Sequence, residues 1–113
     1  MSPMDATNLL DAATDLPDAW SSRVVGQVGT ARVKVLRMDG LPVEVERHDA
    51  PEALLVLDGH LALEVDGRPV PVEAGEVYVV PAGTPHAVRP GSRGTLVIVE
   101  TDGPASPGAD SAR

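Results

Sequence analysis

The sequence of 113 residues contains no cysteine. Neither a disulfide framework nor a thiolate metal site is therefore available, and any metal must be held by histidine nitrogen and carboxylate oxygen. Phenylalanine is also missing, and there is one Trp and one Tyr. The core has to be built from Val, Leu and Ala, and β-branched valine fits a pleated sheet better than a helix. Positive charge is scarce. Nine Lys and Arg stand against seventeen Asp and Glu, a formal net charge of −8. The basic residues form no cluster, which excludes nucleic acid and anionic membrane surfaces as partners. No apolar run reaches the ~20 residues of a membrane-spanning helix. The opening stretch MSPMDATNLLDAATD is acidic and has no apolar centre, unlike a signal or transit peptide. A single cytoplasmic domain is the expectation for such a chain.

What is present reads as strands separated by turn residues. Residues 1–7 are expected to be a flexible N-terminus. A short helix is predicted over 8–13, with Thr7 or Asn8 as its cap, Leu9 and Leu10 pinning it down, and Pro17 ending the segment. Trp20 is expected to be mostly buried where this segment meets the body. Strands are predicted over 23–28, 31–38, 42–48, 53–57, 61–65, 70–72, 77–80, 86–88 and 95–100. Asp39-Gly40, Asp58-Gly59 and Asp66-Gly67 supply turns between them. Period-two alternation over 42–48 puts Val43, Val45 and Arg47 on one face and Glu44, Glu46 and His48 on the other. The continuous apolar run 53–57 is that of a strand buried on both faces. Short strands at regular spacing indicate an all-β sandwich or barrel, spanning 8–101. The Pro-, Gly-, Ala- and Ser-rich residues 102–113 cannot bury enough apolar surface to offset their ordering entropy and are predicted to be a disordered tail.

The polar residues carry the chemical information. Glu46 and His48 share a strand face. Glu52 opens the next strand beyond the 49–51 turn and can point back to the same place. His86 follows the Pro- and Gly-rich turn 81–85, where nothing local calls for a histidine. Tyr78 lies in a valine-rich strand. It is either a cavity-lining catalytic residue or a core tyrosine with a satisfied hydroxyl. His60 is expected to be an exposed turn residue. Arg37, Arg47 and Arg89 could meet an anionic substrate only if their side chains point inward, and Arg47 has the wrong parity for that. A Gly-rich phosphate loop, a cysteine nucleophile and a nucleophile elbow are all missing.

Gly40, five residues, Glu46, one residue, His48, three residues, Glu52, six residues and Gly59 resembles the first cupin motif. Gly75, five residues, Pro81, one residue, Gly83, two residues and His86 resembles the second. The lead-in through Trp20 is similar to that of small single-domain cupins of the mannose-6-phosphate-isomerase-like kind. The resemblance implies a double-stranded β-helix, the cupin jelly roll, with a short N-terminal helix. It also implies an interior site for a divalent metal (Fe, Mn or Zn), with His48, Glu52 and His86 at three ligand positions. Glu46 stands where the family usually has its first histidine, and Pro90 where it often has an asparagine.

Glu46 is left with two roles. As a fourth ligand it would make a set of two neutral imidazoles and two carboxylates, whose charge of −2 balances a divalent ion. As a non-ligand it would be a general base beside a facial triad of His48, Glu52 and His86. The expected function is that of a metal-dependent enzyme of the isomerase, epimerase, cyclase or dioxygenase type, acting on a small molecule in the barrel. The alternatives are a non-catalytic ligand-binding barrel and a metal-free remnant. The interior is expected to be Val- and Leu-lined with few polar groups. Small cupins of this kind pair as homodimers, and the apolar strand 53–57 is consistent with a covered outer face.

Overall fold

The computed structural model describes residues 5–101. The expectations for residues 1–4 and for the tail 102–113 lie outside the described residues. One helix, α1 (Leu9–Thr14), precedes eight strands: β1 (Arg23–Val28), β2 (Ala31–Asp39), β3 (Val43–Glu46), β4 (Glu52–Val65), β5 (Arg68–Glu73), β6 (Val77–Val80), β7 (His86–Val88) and β8 (Arg93–Thr101). Asn8 caps the helix, its side-chain oxygen accepting from the Asp11 amide at 3.0 Å. Ala12 and Ala13, not the exposed Leu10, form the buried face of α1.

All strand pairings are antiparallel, in the order β1-β2-β8-β4-β7-β3, with β5 and β6 also on β4. The first half of β4 pairs with β6 and β8, and its second half with β5 and β7. Leu54 and Val56 from the first half meet Leu61, Leu63 and Val65 from the second in one core, together with Leu36, Met38, Leu96 and Ile98. The sheet thus folds over on itself as a jelly roll, and β4 belongs to both of its layers. This corrects the expectation of a chain reversal at Asp58-Gly59. The strand runs on through a bend, with a register shift between Val56 and Asp58. His60 is consequently a strand residue, paired with Glu73 at 2.9 Å. The run 53–57 is also not buried on both faces of the single chain, because Ala53 and Leu55 are half-buried and Leu57 is exposed.

A second, smaller cluster lies on the outer side of the sheet, where Ala12 and Ala13 pack on Val35 and Val97. Arg37 ties the helix down by donating to the carbonyls of Ala13 at 2.8 Å and Leu16 at 2.9 Å. Trp20 is half-buried against the main core, and its indole nitrogen donates to Asp39 at 2.9 Å.

Candidate metal centre

β3 departs from strict alternation. Its register with β7 shifts between Val43 and Glu46, so Val43 packs on the core opposite Val88 while Glu46 lies opposite His86. An irregularity of this kind bends the strand locally and re-aims a side chain. Val45, expected to share a face with Val43, is instead exposed. Beyond the strand end, the His48 carbonyl accepts from the Gly83 amide at 2.7 Å, which ties the segment carrying His48 to the turn that leads into His86. That turn is braced again where the Asp66 amide donates to the Pro85 carbonyl at 2.9 Å.

The outcome is convergence. One ligand atom each from Glu46, His48 and His86 falls within 4.8 Å of the others. The two imidazole centroids lie 5.3 Å apart, inclined at 50°. Glu52 joins them from the start of β4, its Oε1 lying 2.9 Å from His86 Nε2 and 3.9 Å from His48 Nε2. Glu52 and His86 are each 3 % exposed, whereas Glu46 and His48 are half-buried.

The hydrogen bonds of His86 define what this site needs. Its Nδ1 lies 2.9 Å from the carbonyl oxygen of Thr84, which can only accept, so the proton sits on Nδ1. A neutral His86 then turns the lone pair of Nε2 toward the carboxylate oxygen of Glu52 at 2.9 Å. Two buried acceptors at that distance repel unless a positive charge lies with them, either a second proton or a metal ion. A carbonyl bond to the far ring nitrogen is also the arrangement that orients a metal-ligating histidine. Nitrogen and oxygen at ~2.1 Å from one ion on neighbouring octahedral vertices would be ~3.0 Å apart, so the observed spacing suits a shared cation.

Tyr78 stands on β6 opposite Leu54 and faces inward. It lines a cavity of about 340 Å³ with Val65, Val70, Arg68, Pro81 and Thr84. That volume is in the range of small-molecule sites. The cavity borders His86 on its Nδ1 side, since Val65 pairs with His86 and the Thr84 carbonyl binds its Nδ1, and none of Glu46, His48, Glu52 and His86 lines it. Tyr78 itself makes no hydrogen bond to the four donor residues. None of the three arginines considered from the sequence points inward. Arg37 serves the helix, Arg47 is exposed, and Arg89 pairs with Glu64 at 3.4 Å.

Two interior residues escaped the sequence reading. Lys34 is buried and pairs with Glu100, which lies opposite Glu52 across β4 and β8. Their phase was the available signal. Lys34 alternates with Leu36 and Met38, and Glu100 with Leu96 and Ile98, all of them core residues. The expectation of an interior with few polar groups is corrected at this end of the fold.

Comparison with known proteins agrees with the fold. The Cupin domain family model matches residues 38–102. Quercetin 2,3-dioxygenase of Bacillus subtilis (strain 168) is 40% identical over 63 residues, covering 56% of this chain and 18% of that protein. The chain thus corresponds to about a fifth of that relative's length. Among solved structures, a cupin-2 domain containing protein from Shewanella frigidimarina superposes with a TM-score of 0.77 at 25% identity, over 84% of this chain and 93% of the other. Salicylate 1,2-dioxygenase from Pseudaminobacter salicylatoxidans gives 0.59 at 20% identity, over 64% of this chain and 21% of that one. With the two spaced motifs on one folded-over sheet and more than half the chain matched by the family model, the chain belongs to the cupin family.

Proposed function

We propose that the protein binds a divalent metal ion (iron, manganese or zinc) through Glu46, His48, Glu52 and His86. The ion would act on a small molecule admitted to the barrel. The observation that carries this reading is the buried approach of Glu52 Oε1 to His86 Nε2 at 2.9 Å, with His86 Nδ1 already committed to Thr84. The donor set is all nitrogen and oxygen, which suits these ions and not soft ones. Once bound, the ion would supply a Lewis acid and, if iron or manganese, a site for dioxygen chemistry. Within the reaction types open to such a centre, the two relatives named as dioxygenases favour a dioxygenase. Glu46 is the fourth ligand in this reading; left unligated, it would instead exchange a proton with the bound molecule, being less buried than Glu52. Tyr78 would border that molecule from the 340 Å³ cavity. A second copy of the chain is proposed on the outer face of the sheet, where Val77 and Val79 are exposed at 57 % and 56 %.

Elemental analysis of the purified protein tests the metal. Wild type should carry one of these metals near one equivalent, His86→Ala should lose it, and Glu46→His should keep it, because an imidazole replaces the carboxylate as a donor. If wild type and Glu46→His are both empty, the buried pair is bridged by a proton and the barrel is not a metal centre.

A further inference from the structure

The metal reading leaves over a lysine. Lys34 is 2 % exposed, although lysine is among the side chains least often buried. It points into the fold in phase with Leu36 and Met38, and its ammonium pairs with a Glu100 carboxylate oxygen. Glu100 lies directly opposite Arg32 across β2 and β8, and directly opposite Glu52 across β4 and β8. Opposed residues on antiparallel strands have their Cβ atoms roughly 5 Å apart, so these side chains share one space. A buried ion pair adds little stability over a well-packed apolar pair, and holding the barrel together does not call for one here. Its place beside Glu52 suggests a role in the charge of the site.

By strand phase, the ionisable groups turned toward this end are Arg32 and Lys34 on β2, Glu46 on β3, Glu52 on β4 and Glu100 on β8, while Asp66 and Arg68 line the neighbouring cavity with opposite charges that cancel. Two cations against three carboxylates leave one negative charge. A divalent ion turns that into one positive charge, with both histidines neutral. In a site partly closed to water, net charge discriminates strongly between ligands. A singly charged anion neutralises this end of the barrel, and a neutral molecule of the same shape does not.

From this balance we infer that the centre takes a small monoanion, a carboxylate or an enolate, with Arg32 and Lys34 as its specificity-determining residues. The inference rests on the metal reading, because the ion decides the sign of the net charge. It is tested on the full chain loaded with Mn²⁺, with metal content measured on every sample and acetate as the probe. Calorimetric titration at fixed low ionic strength should show acetate binding at least about tenfold tighter than neutral acetamide, and only to loaded protein. Arg32→Gln, at the half-buried end of the pair, should weaken acetate about fivefold or more, and Arg32→Lys should stay within about twofold of wild type. Lys34→Met should act in the same direction as Arg32→Gln. If it fails to fold by thermal melting, the Arg32 variants decide. Equal binding of acetate and acetamide to loaded wild type would overturn the inference and leave the metal site standing. So would unchanged acetate affinity in loaded Arg32→Gln. Samples that take up no Mn²⁺ overturn the metal reading, and this inference with it.

Discussion

Asp39 shows how one side chain organises the approach to the jelly roll. Its Oδ1 accepts from the Leu41 amide at 3.0 Å and from the Trp20 indole at 2.9 Å. The Leu41 bond is the largest influence holding its carboxyl below the ordinary value of 3.8, with the Trp20 bond and the Arg93 charge adding to it against the opposing effect of desolvation. A carboxyl lowered in the folded state stabilises the protein above the unfolded value, and that contribution is lost as pH falls through the folded value. The melting temperature of wild type should therefore drop as pH goes from about 5 to below 3.8 more steeply than that of Asp39→Asn, which keeps the acceptor and removes the titration. Parallel curves would remove Asp39 from the account of acid stability. At this scale the sequence was legible where spacing repeats a known pattern, and so Glu46, His48, Glu52 and His86 stood out. It was less legible where a single polar residue sits in phase with core residues, because the phase gives the face and not the partner. Lys34 reads locally as an ordinary polar interruption of a strand, and only the pairing of β2 with β8 turns it toward Glu100.

The elements were more legible than the connections between them. Valine-rich stretches and Gly-, Pro- and Asp-rich punctuation located seven of the eight strands to within a few residues and split the eighth, β4, in two, because β-branched side chains and turn residues act locally. The corner of β4 was read as a turn, since Asp-Gly between apolar runs usually reverses a chain. Here Gly59 stands opposite Gly94 on β8, both with positive φ, at 83° and 107°. A Cβ on Gly59 would come within 1.9 Å of the Arg93 carbonyl oxygen, and one on Gly94 within 2.2 Å of that of Asp58. The backbones touch there, which lets the sheet bend while its pairing continues. Gly59→Ala combines a strained φ with a backbone clash and should cost about 3 kcal/mol in a denaturant titration. Gly67→Ala has a similar φ of 81° with open space around it, so it should cost only about 1 kcal/mol. Equal losses at the two positions would mean that the close approach of β4 and β8 does not matter.

At the scale of the whole molecule, the outer face of the sheet is where the proposed pairing of two chains would form. The registers line up two apolar rows across four strands. Val79, Ala53, Val99 and Val33 form one, and Val77, Leu55, Val97 and Val35 the other. Helix α1 covers the β2 end of these rows, where Ala12 and Ala13 meet Val35 and Val97. Among the described residues nothing covers the β6 end, where Val77, Val79 and Leu57 are exposed. An apolar patch that continues a buried cluster into solvent is a site of association, because covering it gains roughly 25 cal/mol per Å² of apolar area. A two-fold pairing places the same patch of each copy against the other and leaves no patch open to a third. The face lies on the opposite side of the sheet from Glu52 and Leu54, so dimerisation need not close the candidate metal centre. Light scattering at micromolar concentration should therefore give the mass of two chains. Val79→Glu, which sets like charges face to face across the axis, should give the mass of one while keeping the metal content of wild type. A wild-type mass of 11.7 kDa under the same conditions would show that the exposed valines of β6 are not an interface.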